Sequence, residues 1–120
     1  MKSKIQLLKK FNKSKILIIG DMVADVYLKG NISRVSREAP VLVLEHAGEK
    51  IVPGGAANVV HNISTLGGYA IAFGIVGDDN AGVGLKEILN NKNADTRGLI
   101  TEKNRPTITK TRIIAGGSAT

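Results

Sequence analysis

Pro53-Gly54-Gly55-Ala56-Ala57-Asn58 is the stretch whose reading decides the fold. Two adjacent glycines let the backbone turn sharply and let another molecule approach, because no Cβ intervenes. Ala56, Val59, Val60, Ile63 and Leu66 then recur at the spacing of one helix face. Gly67-Gly68 is the expected stop. The first N–H groups of a helix lack intrahelical partners, so a glycine turn feeding a helix suits a polar or anionic ligand. Asn58, in the first turn, adds an amide to that end. A tight strand-to-helix connection with no ligand uses the same glycines, and both readings stand on the glycines alone.

Upstream, Lys15-Ile16-Leu17-Ile18-Ile19-Gly20 is a short apolar run closed by glycine. It predicts a buried strand of a parallel sheet. Asp21 and Asp25 follow its carboxyl end, where ligands bind in open α/β sheets. Carboxylates there suit sugar hydroxyls or a metal; a turn cap and a solvated side chain are the plainer uses. Residues 4–12 predict a short amphipathic helix with Ile5, Leu8 and Phe11 on one side. Between about residues 26 and 52 the pattern becomes β-rich: Val26–Ile32, Pro40–His46, a turn at Ala47–Lys50 and a return strand at Ile51–Val52. This predicts a small antiparallel insert over the mouth of the site. The connecting piece carries Arg34 and Arg37, suited either to phosphate or to a solvated loop. His46 and His61 have no partner at ligand spacing and read as structural or exposed.

Downstream, Tyr69–Gly77 predicts another buried strand, and Asp78-Asp79-Asn80 offers N-caps for a second helix. Leu85, Ile88 and Leu89 give that helix its apolar face, and Asn90–Asn93 ends it. Leu99–Thr101 predicts a short strand. Pro106–Ile114 predicts a longer one, with Lys110 and Arg112 on one face because a strand has period two. Two such cations are an anion site or a solvated strand face. Strands alternating with helices predict a layered α/β fold. Ala115–Thr120 closes with no helix or strand, so the expectation is the front part of a larger fold.

Composition narrows the classes. Forty-two per cent of the 120 residues are hydrophobic, with no Trp, two Phe and two Tyr, so a core must be aliphatic. There is no cysteine, which excludes disulfides and thiolate metal sites and fits a reducing compartment. No apolar run has the length of a membrane span, and Ile5–Leu8 is too short for an export signal, which favours the cytoplasm. The net charge is +7, with six of the seventeen cations in the first fifteen positions. No base-stacking aromatics accompany them, so a solvated terminus is preferred to nucleic-acid binding.

Gly54-Gly55-Ala56-Ala57-Asn58, with Gly67 and Gly77 after it, resembles the N-terminal motif of the ribokinase-like (PfkB) carbohydrate kinases. The runs Gly20–Asp25, Ser33-Arg34-Val35-Ser36-Arg37-Glu38-Ala39-Pro40-Val41 and Pro106–Arg112 are similar to the branch acting on D-glycero-β-D-manno-heptose 7-phosphate. Val60 stands where the family usually has a small residue, and Arg37 replaces a usual proline. The resemblance implies a ribokinase-like three-layer α/β fold, with residues 26–52 as a β-lid that pairs two subunits. It implies that Asp25, Gly54, Gly55 and Asn58 grip sugar hydroxyls. Arg34, Lys110 and Arg112 become candidates for the substrate's phosphate. ATP and Mg²⁺ are the implied cofactors, bound mostly by a C-terminal part that this sequence lacks. The family's catalytic base falls in that part too, so the 120 residues are expected to be inactive alone. Ribokinase- or fructokinase-type kinases, and a non-catalytic sugar-phosphate-binding module, are the competing readings.

Overall fold

The computed structural model describes residues 3–116. Along the chain come α1 (Lys4–Lys9), a 3-10 turn (Phe11–Lys13), β1 (Lys15–Ile19), β2 (Met22–Val35), β3 (Leu42–Gly55), α2 (Ala56–Thr65), β4 (Tyr69–Gly77), α3 (Asn80–Asn91), β5 (Asp95–Glu102) and β6 (Ile108–Ala115). They build two three-stranded sheets. The first is parallel, in the order β1-β4-β5, as strands joined through helices require. The second has β2 at its centre, antiparallel to β3 and parallel to β6.

Alternation along β4 fixes the layers. Ala70, Ala72 and Val76 are buried beneath α2 and α3, whereas Phe73 and Ile75 point the other way and are exposed. The helices meet this sheet through Ala57, Val60, Leu85 and Leu89, all fully buried. Met22 and Ala24, at the start of β2, complete the same core and tie the second sheet to it. Each buried leucine contributes about 1.5–3 kcal/mol of transfer free energy.

Several sequence expectations are revised. The strand at 15–19 is parallel, as predicted, but not buried: Leu17 and Ile19 remain 55% and 70% exposed, because the described residues cover only one face of its sheet. The helix after the glycines forms, but its packed face is Ala56, Ala57, Val60 and Ile63, with Val59 and Leu66 outside it. Its end is a Schellman turn, Gly68 N–H donating to the Ile63 carbonyl and Gly67 N–H to Ser64. The terminal helix stops at Lys9 and leaves Ile5 and Leu8 exposed, its start held by a Ser3–Gln6 capping box. No turn interrupts residues 47–50. Lys29 pairs with Gly48 and Gly30 with His46, so Ala47 is the extra residue of a β-bulge in a continuous strand. The antiparallel pair therefore spans 22–55 rather than 26–52, and its hairpin connection lies between Val35 and Leu42. The expected short strand at 99–101 is β5, eight residues long. Of the unstructured end expected at 115–120, residues 117–120 lie outside the described residues, as does Lys2 of the basic terminus.

Candidate functional site

The glycine turn joins the two sheets. Met22 pairs with Gly55 and Val23 with Gly54, so the turn begins as strand and ends as the N-cap of α2. Gly55 has φ +55° and ψ −132°, and a Cβ there would lie 2.6 Å from the Asp21 carbonyl oxygen. Only glycine fits that conformation and that approach. The same carbonyl accepts the Ala56 N–H at 2.8 Å, locking the helix start against the chain leaving β1.

Asp25 completes the turn. A Cβ on Gly54 would sit 2.8 Å from Asp25 Oδ2 and 2.9 Å from Cγ, so the carboxylate lies over the space the glycine leaves open. Asp25 is half-buried and forms no hydrogen bond or ion pair with the other described residues. A half-buried carboxylate with no such partner is left to accept hydrogen bonds from a ligand. Asn58 lies in the first turn of α2, exposed and also without a partner for its amide among the described residues.

Register brings two predicted cations to this carboxylate. Asp25 pairs with Lys110 and Tyr27 with Arg112, and directly paired residues share a sheet face. Val23, Asp25, Tyr27, Gly54, Lys110 and Arg112 therefore stand on one face of the second sheet. Arg34 is not brought there. It pairs with Val43 near the hairpin tip, nine residues along β2 from Asp25, about 30 Å at the usual strand rise. Arg34 and Asp25 of one chain cannot hold one small molecule.

Beside the turn, a cavity of about 350 Å³ opens at the carboxyl ends of β1 and β4, lined by Gly20, Asp21, Gly74, Arg105 and Ile108 among others. This is where an open parallel sheet receives ligands. A polar knot that the spacing did not disclose holds its rim. Asp79, the N-cap of α3, accepts from the Gly82 N–H at 2.8 Å, the Thr107 N–H at 2.9 Å and the Thr107 hydroxyl at 2.5 Å. Thr107 Oγ1 in turn accepts the Gly77 N–H at 2.9 Å. A Cβ on Gly77 would lie 2.4 Å from Thr107 N, which explains the glycine. The Thr107 hydroxyl, then the Thr107 amide, hold the Asp79 carboxyl below its ordinary range; burial opposes them less strongly, and the Gly82 amide adds a still smaller lowering. Asp79 is thus a structural cap. Sequence flagged it as a cap, but its partner Thr107 lies 28 residues away and carried no signal of its own.

Among the described residues no three His, Asp or Glu side chains converge in a way that could hold a metal ion. None of the helices described is long and apolar enough to cross a membrane.

Comparison with known proteins bears on the family and the fold. The profile of the pfkB family carbohydrate kinases matches residues 13–120. The bifunctional protein HldE of Azorhizobium caulinodans is 45% identical over 102 residues, covering 84% of this chain and 21% of that protein. The bifunctional protein HldE of Helicobacter pylori strain P12 is 48% identical over 101 residues, covering 84% of this chain and 22% of that protein. The chain thus spans about a fifth of the length of these curated relatives. Among solved structures, Arabidopsis thaliana ribokinase complexed with ribose and ATP superposes with a TM-score of 0.66 at 17% identity, over 87% of this chain and 33% of that one. Fructokinase from Vibrio cholerae O395, with fructose, ADP and calcium bound, gives 0.61 at 26% identity, over 83% and 28%. The fold is ribokinase-like, and the chain belongs to the pfkB family of carbohydrate kinases.

Proposed function

We propose that the protein carrying this chain uses ATP to phosphorylate D-glycero-β-D-manno-heptose 7-phosphate at its anomeric hydroxyl. The product would be the 1,7-bisphosphate, an intermediate on the way to ADP-heptose and the lipopolysaccharide core, made in the cytoplasm. The carrying observation is the Asp25 carboxylate set over Gly54, with Lys110 and Arg112 on the same sheet face. Asp25 accepts sugar hydroxyls, Gly54 and Gly55 let the ring approach the backbone, and Asn58 adds an amide. Lys110 and Arg112 receive the phosphate at the other end of the sugar. A substrate gripped at both ends holds its reacting hydroxyl in one place, which is most of what a phosphoryl-transfer site must do.

ATP and Mg²⁺ would supply the phosphoryl group and neutralise its charge. The described residues do not fit the metal, since no ligating cluster forms among them. In this reading the nucleotide, the metal and the catalytic base belong to other segments of the parent protein, and these 120 residues do not turn over alone. The second sheet serves as a lid and pairs two copies, its outer half exposing Ile32, Val35, Leu42 and Ile113. Arg34 then meets the substrate phosphate only across that dimer, from the other copy's hairpin.

Kinetics of the full-length protein with Lys110 and Arg112 both replaced by Ala test this reading. The expected result is a KM for the sugar phosphate raised about 30-fold or more, from two lost charge-assisted contacts. The KM for an unphosphorylated sugar should hardly change. Equal effects on both substrates would favour a ribokinase- or fructokinase-type enzyme instead. Tight binding of the sugar phosphate with no ATP turnover by the intact protein would leave only a binding module.

A further inference from the structure

The face that carries Asp25 holds more charge than the site above uses. Following the register away from Gly54, the row after Val52–Asp25–Lys110 is Lys50–Tyr27–Arg112, and the next is Gly48–Lys29–Ile114. Lys50 and Arg112 thus flank Tyr27 from opposite neighbouring strands, their backbones about 10 Å apart. Both are exposed, and neither is paired with an acid among the described residues. A shallow cavity of about 390 Å³ lies on this face, lined by Tyr27, Lys29, Lys50, Val52 and Ile114.

We infer that Lys50 and Lys29 belong to a phosphate subsite centred over Tyr27, closed by Lys50 on the β3 side and by Arg112 on the β6 side. The inference rests on the proposed sugar-phosphate reading and deepens it. Four cations, Lys29, Lys50, Lys110 and Arg112, share three adjacent rows of this face with one carboxylate, Asp25, and the next acid on it, Glu45, lies a row further out opposite Asn31. Like charges gathered on a sheet repel one another. A dianion placed among them relieves that repulsion and gains contacts from two strands at once. The floor beneath carries apolar surface from Val52 and Ile114 with the Tyr27 ring between, against which the lysine stems can lie. Distance fits as well. Tyr27 is two residues from Asp25, a separation of about 7 Å, so a carboxylate-held ring can extend a terminal phosphate onto this row. A lone pair of cations on β6 would steer an anion; cations on both sides of Tyr27 fix its position. Lys50 is therefore a specificity residue that separates a phosphorylated sugar from a neutral one.

The test uses the full-length protein and its Lys50→Met, Arg112→Ala and Lys92→Met variants. The Met substitution keeps most of the apolar stem of Lys50 while removing its charge, and Lys92 is an exposed lysine at the end of α3, remote from this face in the fold. Titration calorimetry is run with heptose 7-phosphate, with the unphosphorylated heptose and with inorganic phosphate. The expected result for Lys50→Met is a five- to thirty-fold weaker affinity for heptose 7-phosphate, weaker inorganic phosphate binding and unchanged affinity for the neutral heptose. In steady-state assays KM should rise with kcat held within about twofold, the signature of lost binding. Lys92→Met should match the unmodified protein. If Arg112→Ala weakens the phosphosugar while Lys50→Met does not, the subsite is wrong and the sugar-phosphate reading survives. If neither variant matters, both fall. If Lys92→Met weakens binding as much as Lys50→Met, general attraction replaces the subsite and overturns it.

Discussion

Gly54 and Gly55 are adjacent, yet an alanine at each should fail in a different way. At Gly55 the added Cβ meets backbone, the Asp21 carbonyl oxygen at 2.6 Å, and the residue holds φ +55° and ψ −132°. Neither can relax without moving the start of α2, so Gly55→Ala should cost about 3 kcal/mol or more of stability. At Gly54 the added Cβ meets the Asp25 carboxylate, Oδ2 at 2.8 Å and Oδ1 at 3.0 Å. That group ends a rotatable side chain, which can swing aside for about 1 kcal/mol. Gly54→Ala should therefore fold but carry its carboxylate in the wrong place. Losing one charge-assisted hydrogen bond to a sugar hydroxyl is worth about 1.5–3 kcal/mol, a roughly 10- to 150-fold loss of affinity. Urea unfolding and sugar-phosphate titration of both variants, in the full-length protein, separate the two effects. The reasoning is refuted if Gly54→Ala is as unstable as Gly55→Ala, or if it folds and binds sugar phosphate as the unmodified protein does.

The rim knot yields a pH prediction. The Asp79 carboxyl titrates below its unfolded value, so its contribution is complete above about pH 4–5 and is lost as pH falls through the lower folded value. Acid unfolding midpoints should show Asp79→Asn losing less stability than the unmodified protein on the way down, from a lower start. Thr107→Val strands the buried Gly77 N–H and removes the hydroxyl donor to Asp79, leaving its two backbone donors, which should cost about 2 kcal/mol in urea unfolding; Thr107→Ser should recover most of it. The bidentate Arg97–Asp95 pair, at 2.7 and 3.0 Å, is solvent-exposed on the arginine side, so Arg97→Ala should leave the unfolding midpoint within error.

The legible parts of this chain were those governed by local rules. The glycine turn, the helix after it and the cap at Asp79 depend on neighbours within a few residues, and each formed where the pattern put it. Period two along 108–114 placed Lys110 and Arg112 together, and the register then seated them beside Asp25. What escaped depended on pairing across the chain. Ala47–Lys50 has the composition of a turn, but β2 pairs with β3 straight through Gly48–Lys50, and only Ala47 is bulged out. Thr107 and Lys50 gain meaning only from partners that folding brings to them. Arg34 shows the converse: its motif is distinctive, yet strand length carries it away from the group it was expected to join. The apolar run of β1 promised burial, but alternation gives a strand two faces, and the described residues cover one of them.

One measurement bears most directly on the site itself: calorimetric titration of the full-length Asp25→Ala variant with heptose 7-phosphate, without nucleotide. A carboxylate that holds the sugar predicts affinity at least about tenfold weaker, with the unfolding midpoint nearly unchanged because Asp25 has no partner to lose among the described residues. Unaltered affinity in a folded Asp25→Ala protein would contradict the account.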